Sequence, residues 1–122
     1  MRWIVDGMNV IGTRPDGWWR DRDAAMTRLV RDLEGYAAAT GDEVTVVFER
    51  HPSPPLRSTV IEIAAAPRPG PDAADHEIAR QVEADADPSS IAVATSDRWL
   101  ADRVSALGAA VVGAESFRAR LD

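Results

Sequence analysis

The chain of 122 residues contains no cysteine and no lysine. Without cysteine it forms no disulfide, offers no thiolate to zinc and has no cysteine nucleophile. Without lysine, arginine supplies all 14 basic side chains against 20 acidic ones, and the net charge is −6. Because the field of an acidic domain repels phosphate, any nucleic-acid partner would have to be held by a local arginine patch or through bound metal ions.

Long apolar runs are also missing. The first apolar stretch, W-I-V, reaches Asp6 after a few residues, which is typical neither of a signal peptide nor of a membrane-spanning helix. We therefore expect a cytoplasmic protein with no membrane partner. The length and the 45% hydrophobic content predict one domain over residues 1–122. Monomer and homodimer both remain open.

Short β-branched or apolar segments alternate with segments of helical periodicity. Strands are predicted at residues 2–5, 44–48, 58–63, 91–95 and 109–112, and helices near residues 26–37, 72–86 and 100–107, with a short terminal helix. Strands separated by helices favour a mostly parallel sheet covered on both faces, a three-layer α/β/α Rossmann-like fold. The suggested strand order is 3-2-1-4-5, which opens a crevice between the first and fourth strands.

Three aspartates are predicted to meet at this crevice. Asp6 ends the first strand, and Asp75 and Asp97 each lie one turn before inward-facing apolar residues of a helix. Taken singly, each acid is also typical of a strand end or a helix start. As a set, carboxylates that converge repel one another unless a cation such as Mg²⁺ or Mn²⁺ neutralises them, and such an ion can activate water for attack on a phosphodiester.

Two further residues are candidates beside these acids. Asn9 either fixes a carboxylate or a water with its neutral amide or is an ordinary turn asparagine, and the sequence leaves both readings open. Glu49 follows the second strand and is an accessory candidate, the alternative being a solvated strand end. His51 and His76 receive no catalytic role, and His76 is predicted to lie on an exposed helix face.

The loop after the first strand combines arginine with tryptophan. Such side chains contact phosphate and stack on unpaired bases. The alternative is that the tryptophans pack under the loop or in a dimer contact. With Arg98 beside the third acid, the RNA-binding candidates are Arg14, Trp18, Trp19, Arg20, Arg22 and Arg98.

Three acidic blocks resemble a known family. The opening I-V-D-G-M-N-V-I is similar to the NYN signature, and A-D-H-E-I and A-T-S-D are similar to the later blocks of the YacP-like branch of the PIN-like ribonuclease superfamily. The resemblance implies a PIN-like fold and a divalent-metal-dependent endoribonuclease that cleaves RNA, including mRNA associated with ribosomes. It implies a metal site of Asp6, Asp75 and Asp97, with Asn9 as the motif asparagine. YacP-like sequences tend to end the second strand in F-D, whereas this chain has Glu49 in that place.

Other classes fit less well. A catalytically inactive PIN-like module that binds RNA or the ribosome through the same crevice is the main alternative, and the presence of all three acids argues against it. A haloacid-dehalogenase phosphatase needs a second aspartate where the chain has Met8. A dinucleotide-binding domain needs a G-x-G-x-x-G turn that is missing, and a response-regulator receiver needs a lysine.

Overall fold

The computed structural model describes all 122 residues, and its centre is a five-stranded parallel sheet in the order β3-β2-β1-β4-β5. This confirms the predicted strand order. The strands are β1 (Arg2–Asp6), β2 (Glu43–Phe48), β3 (Glu62–Ala65), β4 (Ile91–Ala94) and β5 (Ala110–Val112). The helices are α1 (Gly7–Ile11), α2 (Arg22–Thr40), α3 (Ala73–Ala84), α4 (Arg98–Ala106) and α5 (Ala114–Leu121), with 3-10 turns at Trp18–Arg20 and Pro88–Ser90.

Side chains of the sheet alternate between two separate cores. Trp3 and Val5 of β1 point into a core closed by α1, α2 and α5, while Ile4 points into a core closed by α3 and α4. The central strands are buried on both faces, as parallel strands between two helical layers must be. The three-layer α/β/α architecture is therefore confirmed. None of the helices combines the length and the hydropathy needed to cross a bilayer.

The first strand passes directly into a helix instead of a turn. The sequence predicts a turn at Asp6 and Gly7, but α1 begins at Gly7. A Cβ atom at this position would lie 2.5 Å from the Phe48 ring, and Phe48 is fully buried. Glycine is thus required because α1 packs closely against β2, and the helix holds Asn9 one turn beyond Asp6.

The third strand lies further along the chain than predicted. Residues 59–61 form bends, and β3 begins only at Glu62. The reason is the Ser58 hydroxyl oxygen, which accepts hydrogen bonds from the backbone N–H groups of Val60 and Ile61, both at 3.1 Å. These local bonds hold the segment in a turn that a β-branched composition does not reveal.

Candidate active site

One crevice at the carboxyl ends of the central strands brings the predicted acids together. Its volume is about 220 Å³, and it is lined by Asp6, Met8, Asn9, Glu49, Asp72, Ala74, Asp75 and Asp97. Asp6 ends β1, Glu49 follows β2, Asp75 lies in the first turn of α3, and Asp97 precedes α4. The four acids come from four elements, and the parallel sheet delivers them to one edge.

Asp6 is held inside the protein by a threonine. Its side chain is only 3% exposed, and the Thr95 hydroxyl donates a hydrogen bond to its Oδ2 at 2.9 Å. Burial raises the pKa of Asp6 to about 6, the Thr95 hydrogen bond opposes this, and the negative charge of Asp97 adds to the rise. Asp6 therefore changes charge near neutral pH, unlike an ordinary surface aspartate.

Asp75 faces the same crevice from α3. It is 9% exposed, and its pKa is raised to about 7. Burial makes the largest contribution to this rise, and the negative charges of Asp6, Asp97 and Asp72 make smaller ones. None of the acids that line the crevice forms an ion pair with an arginine, a histidine or the N-terminus. The site is thus a concentration of negative charge that the protein itself leaves uncompensated.

The loop that carries Asp97 is fixed by two neighbours and by α1. Asp97 caps α4 by accepting the Leu100 N–H at 2.8 Å, and its own N–H donates to the Thr95 hydroxyl oxygen at 3.1 Å. The Asn9 Oδ1 accepts the Ser96 N–H at 2.8 Å and so ties α1 to the loop. The amide of Asn9 therefore has a defined positioning contact, and Asp97 both caps a helix and faces the crevice.

The carboxylates and the Asn9 amide of the crevice offer oxygen donors, which suit Mg²⁺ or Mn²⁺. No three Asp, Glu or His side chains lie close enough together to hold a metal ion by themselves. Magnesium keeps several waters and commonly uses one or two carboxylates together with substrate phosphate. The donor set accordingly fits an ion shared with a phosphate-bearing ligand better than a closed protein cage.

The sequence and the fold both match a known family. The family model for the YacP-like NYN domain matches residues 3–122. The chain belongs to the YacP-like NYN domain family. NYN domains are nuclease-type domains, which places the chain in an RNA-related nuclease family and supports a hydrolase class.

Two solved structures have the same fold as this YacP-like NYN domain. Rae1 (YacP) from Bacillus subtilis superposes with a TM-score of 0.80 at 24% identity, over 99% of this chain and 73% of that one. A tryptophan-to-leucine variant of the same protein gives 0.79 at 25% identity, over 99% and 74%. No curated protein sequence matches the chain significantly.

The arginine and tryptophan loop of this YacP-like NYN domain is divided between core and solvent. Trp18 is partly buried against the core, as the packing alternative predicts, whereas Trp19 is 50% exposed. The Arg22 guanidinium lies 5.2 Å from the Trp18 ring, and that of Arg20 lies 6.0 Å from the Trp19 ring. The loop thus presents one half-exposed indole and two arginines that lie over tryptophan rings.

The arginines differ in their access to the crevice. A small cleft lined by Met8, Arg22, Met26, Glu49 and Arg50 shares Met8 and Glu49 with the acidic crevice, so Arg22 is next to the site. Arg14 forms an ion pair with Asp122 instead. Arg98 is exposed in the first turn of α4 and forms no ion pair.

Several residues of the site were missed in the sequence. Asp72 lines the crevice from a left-handed backbone conformation with φ 62°. Thr95 forms hydrogen bonds with Asp6 and Asp97, and the Ser96 N–H donates to Asn9. His76 is exposed as predicted, but its ring lies 4.7 Å from that of Trp99. The threonine and serine belong to the A-T-S-D block, where the acid alone was singled out, and Trp99 stands two residues beyond Asp97.

Proposed function

We propose that the chain is a divalent-metal-dependent endoribonuclease that hydrolyses RNA phosphodiester bonds. The observation that carries the proposal is the convergence of Asp6, Asp75 and Asp97 in one crevice with no basic partner. Asp6 and Asp75 are buried, their pKa values are raised, and no cation compensates them, which argues for a ligand that supplies positive charge. Membership of a nuclease-type family supports the same conclusion.

In this proposal Asp6, Asp75 and Asp97 hold Mg²⁺ or Mn²⁺ together with a phosphate of the substrate, and Asn9 holds the Asp97 loop in place. The bound ion supplies a Lewis acid that activates water and stabilises the charge developing on the phosphodiester. Thr95 orients Asp6 through its hydroxyl, and the α4 cap orients Asp97. Glu49 lines the crevice beside Asp6 and is proposed as an accessory acid that influences the charge of the site.

RNA is proposed to approach over the side of the crevice that carries Arg22. Arg20, Arg22 and Arg98 form no ion pair in the protein, so their charges are available to phosphate. The exposed part of the Trp19 ring is proposed to contact a base. Trp18 and Arg14 are proposed to contribute less to RNA binding. Trp18 is partly buried, and Arg14 is paired with Asp122. The proposed substrates are cytoplasmic RNAs, including mRNA on the ribosome, as the family resemblance implies.

The proposal is tested by cleavage of an end-labelled single-stranded RNA at increasing Mn²⁺ or Mg²⁺, with EDTA as the blank. Wild-type protein is expected to cleave only with metal, and Asp97→Asn is expected to lose cleavage while it stays folded. Asp102→Asn is the matched control, since Asp102 lies on the same helix but is exposed and does not line the crevice. Full cleavage by folded Asp97→Asn removes Asp97 from the mechanism. RNA binding without cleavage at any metal concentration favours the inactive binding module.

A further inference from the structure

An exposed tryptophan stands at the edge of the acidic crevice. Trp99 lies in the first turn of α4, two residues after Asp97, and is 49% exposed. The only other large hydrophobic side chains exposed to this extent are those of Met1, Trp19 and Val60. The Trp99 indole is therefore accessible to a ligand bound at the site.

A histidine from the neighbouring helix supports this indole. His76 lies next to Asp75 in α3. Its ring centroid is 4.7 Å from that of Trp99, and the interplanar angle is 53°. Contact between the two rings restricts the orientation of the indole. The indole side chain therefore loses less conformational entropy when a ligand binds. The pair forms an aromatic surface built from the first turns of two helices, which we call the Trp99–His76 platform.

The platform lines a cavity that borders the acidic site. The cavity has a volume of about 240 Å³ and is lined by Asp72, Asp75, His76, Asp97 and Trp99. Three of these residues, the aspartates, also line the crevice. A ligand held in the crevice therefore has its adjacent groups beside the Trp99 ring.

We propose that the Trp99–His76 platform stacks an unpaired nucleobase of the RNA strand whose phosphate occupies the crevice; this rests on the proposed function. The carboxylates around the cavity repel phosphate but accept hydrogen bonds from the amino groups of a base, so the base is the part of a nucleotide that fits there. Single-stranded RNA is commonly bound by stacking of bases on aromatic side chains. The platform would thus hold the strand beside Asp72, Asp75 and Asp97, whereas the cleft with Arg22 adjoins the crevice at Met8 and Glu49.

A cationic side chain of a protein partner is the competing occupant, because acids and an indole also attract arginine. The base is favoured because the cavity and the crevice share three lining aspartates. Each phosphate in a strand carries a nucleoside on both sides, and no separate partner is then needed to fill the cavity. The test below includes an arginine-rich peptide so that this occupant is an explicit outcome.

The experiment compares Trp99→Phe, which keeps an aromatic face, with Trp99→Leu, which keeps apolar bulk only. An RNA 10-mer with a central 2-aminopurine is mixed with each protein in Mn²⁺ by stopped flow, so that stacking is read as quenching before any cleavage. Affinity is also measured by anisotropy for an abasic ribose-phosphate oligomer of the same length. Neither readout requires that the RNA be cleaved.

Wild type and Trp99→Phe are expected to quench the fluorophore and to bind the base-bearing RNA within a few-fold of each other. Trp99→Leu is expected to weaken that binding roughly 5- to 150-fold, the range for loss of one stacked base, and to bind the abasic oligomer as wild type does. Unchanged melting temperatures verify folding. Cleavage by wild type is measured separately, so failure of the nuclease proposal and failure of the platform give different results.

Three outcomes overturn the platform. The first is absence of Trp99-dependent quenching, whether or not the RNA is cleaved. The second is an equal loss of affinity for base-bearing and abasic oligomers in Trp99→Leu, which indicates a structural role. The third is Trp99-dependent binding of the arginine-rich peptide with no Trp99 dependence for RNA.

Discussion

Two carboxylates of helix α3 are almost equally buried, yet their surroundings are opposite. Asp75 is 9% exposed and Glu77 is 8% exposed. Glu77 accepts two hydrogen bonds from the Arg80 guanidinium, at 2.8 and 2.6 Å, and this contact lowers its pKa. Asp75 has only other acids as charged neighbours, and its pKa is raised. Burial alone therefore does not decide the charge of an acid in this protein; the partner does.

The same contrast separates the two ends of the sheet. At the amino end, the Arg2 guanidinium donates to both carboxylate oxygens of Asp85, at 2.9 and 2.8 Å, and the pKa of Asp85 falls to about 2. At the carboxyl end, burial raises the pKa of Asp6 to about 6. Acids compensated by arginine serve the fold, whereas uncompensated acids are stabilised only when a ligand brings positive charge.

The largest expected effect comes from exchanging the two acids of α3 for their amides. Asp75→Asn should lower metal-dependent RNA cleavage by at least about 1000-fold, because it removes a charge that the proposed ion requires. Glu77→Gln is the matched control on the same helix and should leave cleavage within a few-fold of wild type. Single-turnover rates on one RNA measure both. Equal losses in the two variants would show that cleavage does not depend on the difference between the surroundings of Asp75 and those of Glu77.

The pH dependence of stability should also separate the two kinds of acid. The folded-state pKa of Asp6 is about 6, above its usual value of 3.8. Between these two pH values the folded state binds more protons than the unfolded state, so stability falls as pH rises through this range. The loss from Asp6 amounts to roughly 3 kcal/mol. Urea unfolding of EDTA-treated protein at pH 4 and pH 8 should show a smaller fall for Asp6→Asn than for wild type.

Metal provides the complementary measurement. Mn²⁺ added at pH 8 should stabilise wild type more than Asp6→Asn, since the ion binds the folded carboxylates.

Asp85 has a lowered pKa, so its contribution to stability is present above pH 4 and is lost as pH falls toward 2. A stability difference between wild type and Asp6→Asn that does not change between pH 4 and pH 8 would contradict the assigned charge state of Asp6.

A smaller effect is expected where a residue acts through another. Asn9→Ala removes the acceptor of the Ser96 N–H and frees the loop that carries Asp97. Loss of such an orienting contact typically lowers metal affinity or activity about 10- to 100-fold. Titration of Mn²⁺ should show a higher metal requirement with part of the maximal rate retained. A variant with wild-type metal dependence would assign Asn9 to folding alone.

The sequence predicted the sheet order and the convergence of the acids well because both follow from periodicity and from strand ends. It failed at Gly7 and Ser58, where a contact with Phe48 and a local hydroxyl bond decide the backbone. It also missed Asp72 and the contact between His76 and Trp99, because these depend on how loops and two separate helices meet. Ion pairs such as Arg2 with Asp85, 83 residues apart, are equally invisible in a linear pattern.

The smallest effect is expected at Glu49, an acid of the crevice that also has arginines nearby. It lines both the acidic crevice and the cleft that contains Arg22 and Arg50, and its charge is a minor contribution to the raised pKa of Asp6. Glu49→Gln should therefore change the cleavage rate near neutral pH only about 2- to 5-fold, while the acidic limb of the rate profile moves to lower pH because Asp6 ionises more easily. Glu49→Asp keeps the charge and restores the residue that YacP-like sequences tend to have, so its limb should stay near that of wild type. If both variants lose cleavage as completely as Asp75→Asn, Glu49 belongs with the essential carboxylates, and the proposed set of three must become four.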